Sequence, residues 1–463
     1  MPVRIASSSR RPVTSQPTAR PPRRPTLAER VAEAALRVRA PWRGAVGRWA
    51  VRKGLYAHAL AVAPEDPYVI AKAGFFEQAA EQAKPGEAAW LAAMAGLGRL
   101  DLLAETADSA GPLTAADRRW IAGLAAAWKP EAGLDLLEPS MAVERAACFL
   151  ALDQPDAAEA LLEPAVRSPE RSLLLAAAAA QTGDWTEARV RINAAFAARA
   201  LNVPLREPRE TPITLAEFDP DRGPGRSSGP LVSIVLPARN AAATLPTALK
   251  SLLRQNWEAL EVIVVDDGST DGGGTAVEAA AKADSRVRVV VNSGPPGPSG
   301  ARNTGVAAAA GDYIGFHDAD DWAHPGRLQR QVEAIEAGRG VAAVSRHFRL
   351  AADGRPLAPR VLPMVRLAPI SLLARAEAVR AAGPWEDSPV GADSEFLARM
   401  DLLYGRRNVV RLDQIHLVAG WAAGSISGAK PTGLTSPEGR AAREAYERDW
   451  RTRHAQRVRD GLA

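Results

Sequence analysis

From Leu231 onward, short runs of β-branched and apolar residues alternate with helix-patterned stretches, and this alternation leaves few folds open to the chain. Residues 232–236 are continuously apolar or β-branched apart from Ser233, the mark of a strand buried on both faces. Leu245, Ala248, Leu249, Leu252 and Leu253 then fall at helical spacing. Residues 261–265 form a second strand pattern, Gly273–Ala283 a helix, Val287–Val291 a third strand, residues 301–310 another helix and residues 312–317 a fourth strand. Such alternation predicts a mainly parallel sheet with right-handed crossovers, whose ligands sit at the carboxyl ends of the strands. Those ends carry Pro237-Ala238-Arg239-Asn240, Asp266-Asp267 and Asp318-Ala319-Asp320-Asp321.

The last of these clusters sets three carboxylates within four residues. Like charges that close repel, and they stay ionised only with compensation. Taken alone, the cluster fits either an acidic turn facing solvent or a site where carboxylate oxygens hold a hard divalent cation, which would bind phosphate as well.

The preceding part of the chain reads differently. From Thr26 to about residue 203 it is rich in alanine and leucine at helical spacing, broken at Pro or Gly, with no strand pattern. Residues 147–162 followed by 172–195 resemble the helix–turn–helix units of tetratricopeptide proteins, above all at Gly183-Asp184-Trp185. An α-helical, solenoid-like domain over 26–203 is expected, with Trp42, Trp49, Trp90, Trp120, Trp128 and Trp185 in its core. Residues 204–230, punctuated by prolines, read as a linker. Residues 1–25 hold six arginines, six prolines and no acid, and are expected to be a disordered basic tail. The formal charge of +5 belongs to that tail; without its six arginines the balance is 5 − 6 = −1, so no specific nucleic-acid partner is expected. Residues 436–463 read as an arginine-rich C-terminal helix, solvated or covering a domain.

One cysteine, Cys148, excludes intrachain disulfides, and no stretch approaches the roughly 20 apolar residues of a membrane span. A cytoplasmic protein is expected, with at most peripheral contact at the inner face of a membrane.

The motifs Val232-Ser233-Ile234-Val235-Leu236-Pro237-Ala238-Arg239-Asn240, Val265-Asp266-Asp267-Gly268-Ser269-Thr270-Asp271, Ala301-Arg302-Asn303 with Gly305, and Gly311-Asp312-Tyr313-Ile314 with Asp318, Asp320, Asp321 and Pro325 follow in order. Together they resemble a family 2 glycosyltransferase of GT-A fold. The resemblance implies a Rossmann-like, mainly parallel α/β catalytic domain over 231–435, preceded by the all-α domain. It implies an inverting, metal-dependent transfer of a sugar from a nucleoside-diphosphate donor, usually UDP-linked, to a hydroxyl of a glycan, lipid-linked or protein acceptor. Asp267 would meet the nucleobase, with Pro237 and Asn240 framing its pocket. Asp318 would sit near the ribose and Arg302 near the phosphates, the alternative for Arg302 being a surface salt bridge. Asp320 and Asp321 would hold Mn²⁺ or Mg²⁺ on the diphosphate, because departing diphosphate gains charge that a cation stabilises.

Farther along, Gly391-Ala392-Asp393-Ser394-Glu395 resembles the acceptor-side segment, where the family places Glu-Asp at a helix start and the Asp is the general base. Ala392 replaces that Glu, and Asp393 stays as the base or as a plain helix N-cap. The family often carries His or Arg three residues before a Ser-x-Ser pair; here Ala422 precedes Ser425-Ile426-Ser427. His317, His324 and His416 are expected to pack rather than react. Two other readings compete. A nucleotidyltransferase would need a glycine-rich, basic loop after the first strand, and residues 238–244 hold no glycine and no lysine. A non-catalytic sugar-nucleotide binder, with the helical domain recruiting a protein partner, would fit Ala392 and Ala422 but not the retained Asp267, Asp318, Asp320 and Asp393.

Overall fold

A computed structural model of the chain describes residues 26–37, 43–107, 111–220, 227–338, 340–421 and 433–461. The basic tail, Trp42, Ala422 and Ser425 to Ser427 lie outside the described residues.

Before residue 204 the described residues form thirteen α-helices, from Leu27–Arg37 to Trp185–Ala197, and no strand. Their starts follow from capping chemistry. Asp66, Thr114, Ser168 and Asp184 each accept a hydrogen bond from a backbone N–H of the first turn, and Pro67 and Pro169 stand where a donor is not needed. Four of the five described tryptophans before residue 204 pack against the apolar cores as expected, at their margins, and Trp128 departs. Trp49, Trp90, Trp120 and Trp185 are half-buried, and Trp128 is 37% exposed. Cations cover two of them: Lys72 lies 3.4 Å from the Trp120 ring centroid and Arg440 3.8 Å from that of Trp128.

The C-terminal half is built on one ten-stranded sheet. Its strands are β1 (Val232–Ala238), β2 (Leu260–Asp266), β3 (Val287–Val291), β4 (Tyr313–Phe316), β5 (Asp321–Ala323), β6 (Ala342–Ala351), β7 (Pro356–Leu357), β8 (Arg366–Leu367), β9 (Leu373–Arg375) and β10 (Val409–Trp421). The main order is β3-β2-β1-β4-β9-β6-β10-β5, with β7 and β8 beside β6. β3, β2, β1 and β4 are parallel, so their carboxyl ends share one edge. β9 enters antiparallel between β4 and β6, and β10 lies parallel to β6 and antiparallel to β5. The sheet is therefore mixed, though mainly parallel in its first half. Close packing explains Gly305: a Cβ there would collide with Val235, so glycine lets the helix Pro298–Ala308 settle onto β1.

The stretch 204–220 is not a free tether. Leu205, Ile213 and Phe218 are buried in a core that also holds Leu174 and Phe196 from the helices and Trp322, Phe348, Ile415 and Val418 from the sheet. The prolines that suggested a linker interrupt helix formation but do not prevent apolar anchoring. A second join is the helix Pro437–Arg459. Ala455 and Val458 pack with Leu60 and Leu402, Arg448 pairs with Glu77 at 2.9 Å, and Arg453 pairs with Glu386 at 2.7 Å. This helix straps the N-terminal helices to the sheet half.

Candidate active site

Three strand ends converge on the carboxyl edge. At the end of β1, half-buried Pro237 stands in register with Val265 and leads to Asn240, whose φ of 50° suits asparagine better than a branched residue. Asn240 Oδ1 accepts from Thr270 N–H at 2.8 Å, and its own N–H donates to Ser269 Oγ at 3.1 Å. These bonds fasten the β1 loop to the loop after β2. Asp267, buried beside them, accepts from Asn292 Nδ2 at 2.6 Å and from Gly297 N–H at 2.8 Å. Arg239 lies 3.6 Å from the same carboxylate. Asp267 thus ties the loops after β1, β2 and β3 into one polar corner, and each of its oxygens retains a further lone pair.

The end of β4 is the acidic corner. Asp318 accepts from Arg302 Nη2 at 2.7 Å. Arg302 is buried, not at the surface, with its guanidinium 4.7 Å from the Trp385 ring centroid. Asn303 fixes that arrangement by exchanging two hydrogen bonds with the Trp385 backbone, at 2.8 and 3.1 Å. Trp385 in turn stacks on Phe396 at 4.5 Å. Asp320 is half-buried; burial and the Asp318 carboxylate push its pKa up to about 6, with Arg349 opposing. Asp321 is buried, and burial with the neighbouring Asp320 and Asp318 raises its pKa well above the usual carboxylate range. Gly420 N–H donates to Asp321 at 3.3 Å. Carboxylates forced together with so little compensation form a hard-oxygen donor set that fits a divalent cation.

Behind this corner is a cation that sequence reasoning missed. Arg327 is fully buried. It donates to Phe316 O at 2.8 Å, Ser371 O at 3.1 Å and Gln331 Oε1 at 3.2 Å. His317, held neutral by burial with its pKa near 3, lies between Arg327 and the Asp321 carbonyl. The signal was available: Arg327 and Gln331 share a helical face with Leu328, Val332 and Ile335, and polar residues at an apolar period mark a buried network. His324 and His416 are buried too, His324 against Asn202 O at 3.1 Å and His416 against Ser345 Oγ at 3.0 Å.

Asp393 comes from the far side of the cleft. The helix Ala392–Tyr404 is capped by Gly391 at φ 74°, so Asp393 lies in the first turn and is not the N-cap. Burial raises the Asp393 carboxyl above its ordinary value; Arg302 opposes the shift, Asp318 adds to it, and Arg443 opposes it from the C-terminal helix. Asp393, Arg302 and Asp318 therefore share one electrostatic neighbourhood. Glu395 faces elsewhere, bonded to Arg399 at 2.5 Å and His454 at 3.0 Å.

Residues 233–364 match the family described as glycosyl transferase family 2. The chain carries a family 2 glycosyltransferase domain. Among similar proteins, the uncharacterized glycosyltransferase EpsJ of Bacillus subtilis (strain 168) is 38% identical over 138 residues, 30% of this chain and 40% of that protein. The succinoglycan biosynthesis protein ExoO of Rhizobium meliloti (strain 1021) is 41% identical over 128 residues, 28% of this chain and 36% of that protein. The chain thus spans well under half the length of these two relatives. The crystal structure of S. aureus TarS 1-349 in complex with UDP-GlcNAc is similar over 42% of this chain and 60% of that one, with 21% identity and a TM-score of 0.35. The residues matched run from β1 to β7, and the N-terminal helices and β8 to β10 lie outside them. Among the described residues no helix is long and apolar enough to cross a membrane.

Proposed function

We propose that the chain transfers a sugar from a nucleoside-diphosphate sugar, UDP-linked by the resemblance, to an acceptor hydroxyl with inversion at the sugar carbon. The observation that carries this reading is the 2.7 Å Arg302–Asp318 pair, which lies between the acidic end of β4 and the Asp393 helix start. The Asp267 corner receives the nucleobase, with Asn240 and Pro237 shaping its rim. Asp318 takes the ribose side. Arg302, steered by Asp318 and Trp385, directs its remaining N–H groups to the diphosphate.

Asp320, with Asp321 behind it, holds Mn²⁺ or Mg²⁺, which when bound offsets the charge gathering on the departing diphosphate. Among the described residues no three His, Cys, Asp or Glu side chains are grouped to chelate an ion by themselves. An ion held by Asp320 and Asp321 would therefore need further oxygen ligands from the donor or from water. Asp393 accepts the acceptor hydroxyl proton as that oxygen attacks the sugar carbon, and the diphosphate leaves on the opposite side. The raised pKa makes Asp393 a stronger base than a carboxylate of ordinary pKa.

The test is a panel of nucleotide-sugars titrated with Mn²⁺, Mg²⁺ or chelator, scored for binding and slow hydrolysis. Metal-dependent binding of one donor with slow release of its sugar is expected. Indifference to every nucleotide, with and without metal, defeats the reading and leaves the non-catalytic alternative without its ligand.

A further inference from the structure

A cavity of about 620 Å³ lies away from the Asp267 corner, between the N-terminal helices, the loop before β8 and the strap helix Pro437–Arg459. Its walls carry seven lysine or arginine side chains and four glutamates, a surplus of three positive charges. Three glutamates are already engaged. Glu144 pairs with Arg119 at 2.5 Å, Glu447 with Arg451 at 2.7 Å, and Glu170 accepts from Met364 and Val365 N–H at 2.6 and 2.9 Å. Glu444 is the fourth, within the field of Arg360 and Arg440.

Lys72 pairs with Asp117 at 3.5 Å, whereas Arg366 and Arg440 are held by backbone carbonyls. Arg366 donates to the carbonyls of Leu362 at 2.6 Å and Pro363 at 3.0 Å. Arg440 donates to Ala127 O at 3.0 Å and Thr435 O at 3.3 Å, and lies over Trp128. Arg360 makes no side-chain hydrogen bond or ion pair among the described residues, and its Nε is buried without a partner. Burial, Arg360 and Arg349 pull the Arg366 pKa down to about 10. Crowded guanidiniums oriented by backbone carbonyls cost stability unless an anion joins them.

The strap helix that walls the cavity also packs against the Asp393 helix: His454 bonds Glu395 at 3.0 Å, and Tyr446 stands beside Gly391. Arg443, on the same helix and on the cavity wall, lies near enough to Asp393 to oppose the rise in its pKa. A ligand seated in the cavity therefore lies along the helix that borders the start of the Asp393 helix. We propose that this cavity binds the acceptor, and that the acceptor is an anionic saccharide whose carboxylate or phosphate groups meet Arg360, Arg366, Arg440 and Arg443. The inference rests on the transferase reading for the role of the ligand, though not for its charge.

The experiment uses the full chain and calorimetric titration at 0.05 and 0.15 M salt. The probes are a galacturonate hexamer, a glycerol-phosphate hexamer, neutral maltohexaose, inorganic phosphate and a uridylate oligomer of RNA. At least one anionic saccharide is expected to bind at least tenfold more tightly than maltohexaose, and the two arms tell carboxylate from phosphate. Arg360→Ala and, separately, Arg366→Gln should each weaken that binding about tenfold, the loss of one charge-assisted contact. Arg360 has no bond to lose in the fold, so its variant stays interpretable if Arg366→Gln unfolds. Arg330→Ala, an exposed arginine outside the cavity, should change nothing.

Equal affinity for neutral and anionic hexamers overturns the proposal, as does anion affinity unchanged by Arg360→Ala. Saccharide binding no tighter than that of the RNA oligomer or of phosphate alone overturns it too. Nucleotide-sugar titration in the same samples separates the two readings. Donor binding without anionic-saccharide binding defeats the cavity proposal alone. The reverse result defeats the transferase reading alone.

Discussion

Two carboxylates carry the sharpest residue-scale expectations. Asp320 is half-buried beside Asp318, and each makes the other's charge costly. Replacing Asp320 by Ala should therefore preserve the fold while reducing nucleoside-diphosphate affinity in Mn²⁺ to that measured with chelator; equal metal dependence in the variant removes Asp320 from the metal site. Asp393 differs in that it must be ionised to act. Its pKa is raised by burial, against Arg302, so the ionised fraction falls as pH drops through a value above the ordinary carboxylate range of about 3.9. The acidic limb of kcat/KM should accordingly lie higher than an exposed aspartate would set it. Asp393→Asn should abolish that limb and reduce turnover about 10²–10⁴-fold with donor affinity retained. Glu395→Gln tests the neighbouring carboxylate. Its bonds to Arg399 and His454 mean that it should act on stability, and loss of turnover there with Asp393→Asn near normal would reassign the base.

Elements show which parts of the fold were readable and why. β1 to β4 and the helices between them were legible because apolar runs, helical periods and strand-end polar clusters are local signals. β5 and β7 to β9 are two or three residues long and exist through partners far away in sequence, so no local pattern announces them. β10 has an irregular register against β6, and its run of buried residues, Ile415 to Ala419, follows a mostly half-exposed stretch. The carboxylates of the site were legible by type and order. Their supports were not: Asn292, Arg349, Trp385 and Arg327 gain meaning from contacts between elements. Arg327 gives the test at this scale. It ties the helix Arg327–Ala337 to the β4 carbonyl of Phe316 and to Ser371 before β9. Arg327→Ala removes the donor to Phe316 O and one of the two donors to Ser371 O, which keeps Gln331 Nε2 at 2.7 Å, and should destabilise the protein by about 2–4 kcal/mol. Denaturant unfolding checks this, and Arg327→Lys, with one point of charge in place of a fork, should recover only part.

At the scale of the whole molecule, proline-rich composition suggested two bodies on a tether, whereas one of the apolar cores runs across the join. Phe196 is fully buried, its ring 6.2 Å from Trp322, 6.3 Å from Phe348 and 5.9 Å from His324. Trp322 is the residue after Asp321, so the packing of the N-terminal helices reaches the backbone that carries the acidic cluster. Phe218 covers the other side of the same indole at 5.3 Å. A chain beginning near Ser228 would expose Trp322, Phe348, Leu350, Ile415 and Val418 together, and it should be aggregated or lack a cooperative melting transition. The complementary experiment keeps the chain whole. Phe196→Ala removes a buried ring at the join and should cost about 3–5 kcal/mol. The loss should appear in the single unfolding transition of the full chain, reported alike by helix and sheet signals, and should weaken metal-dependent nucleotide binding at temperatures near that transition. Two separate transitions, with Phe196→Ala shifting only the helical one, would instead establish that the sheet half stands on its own core.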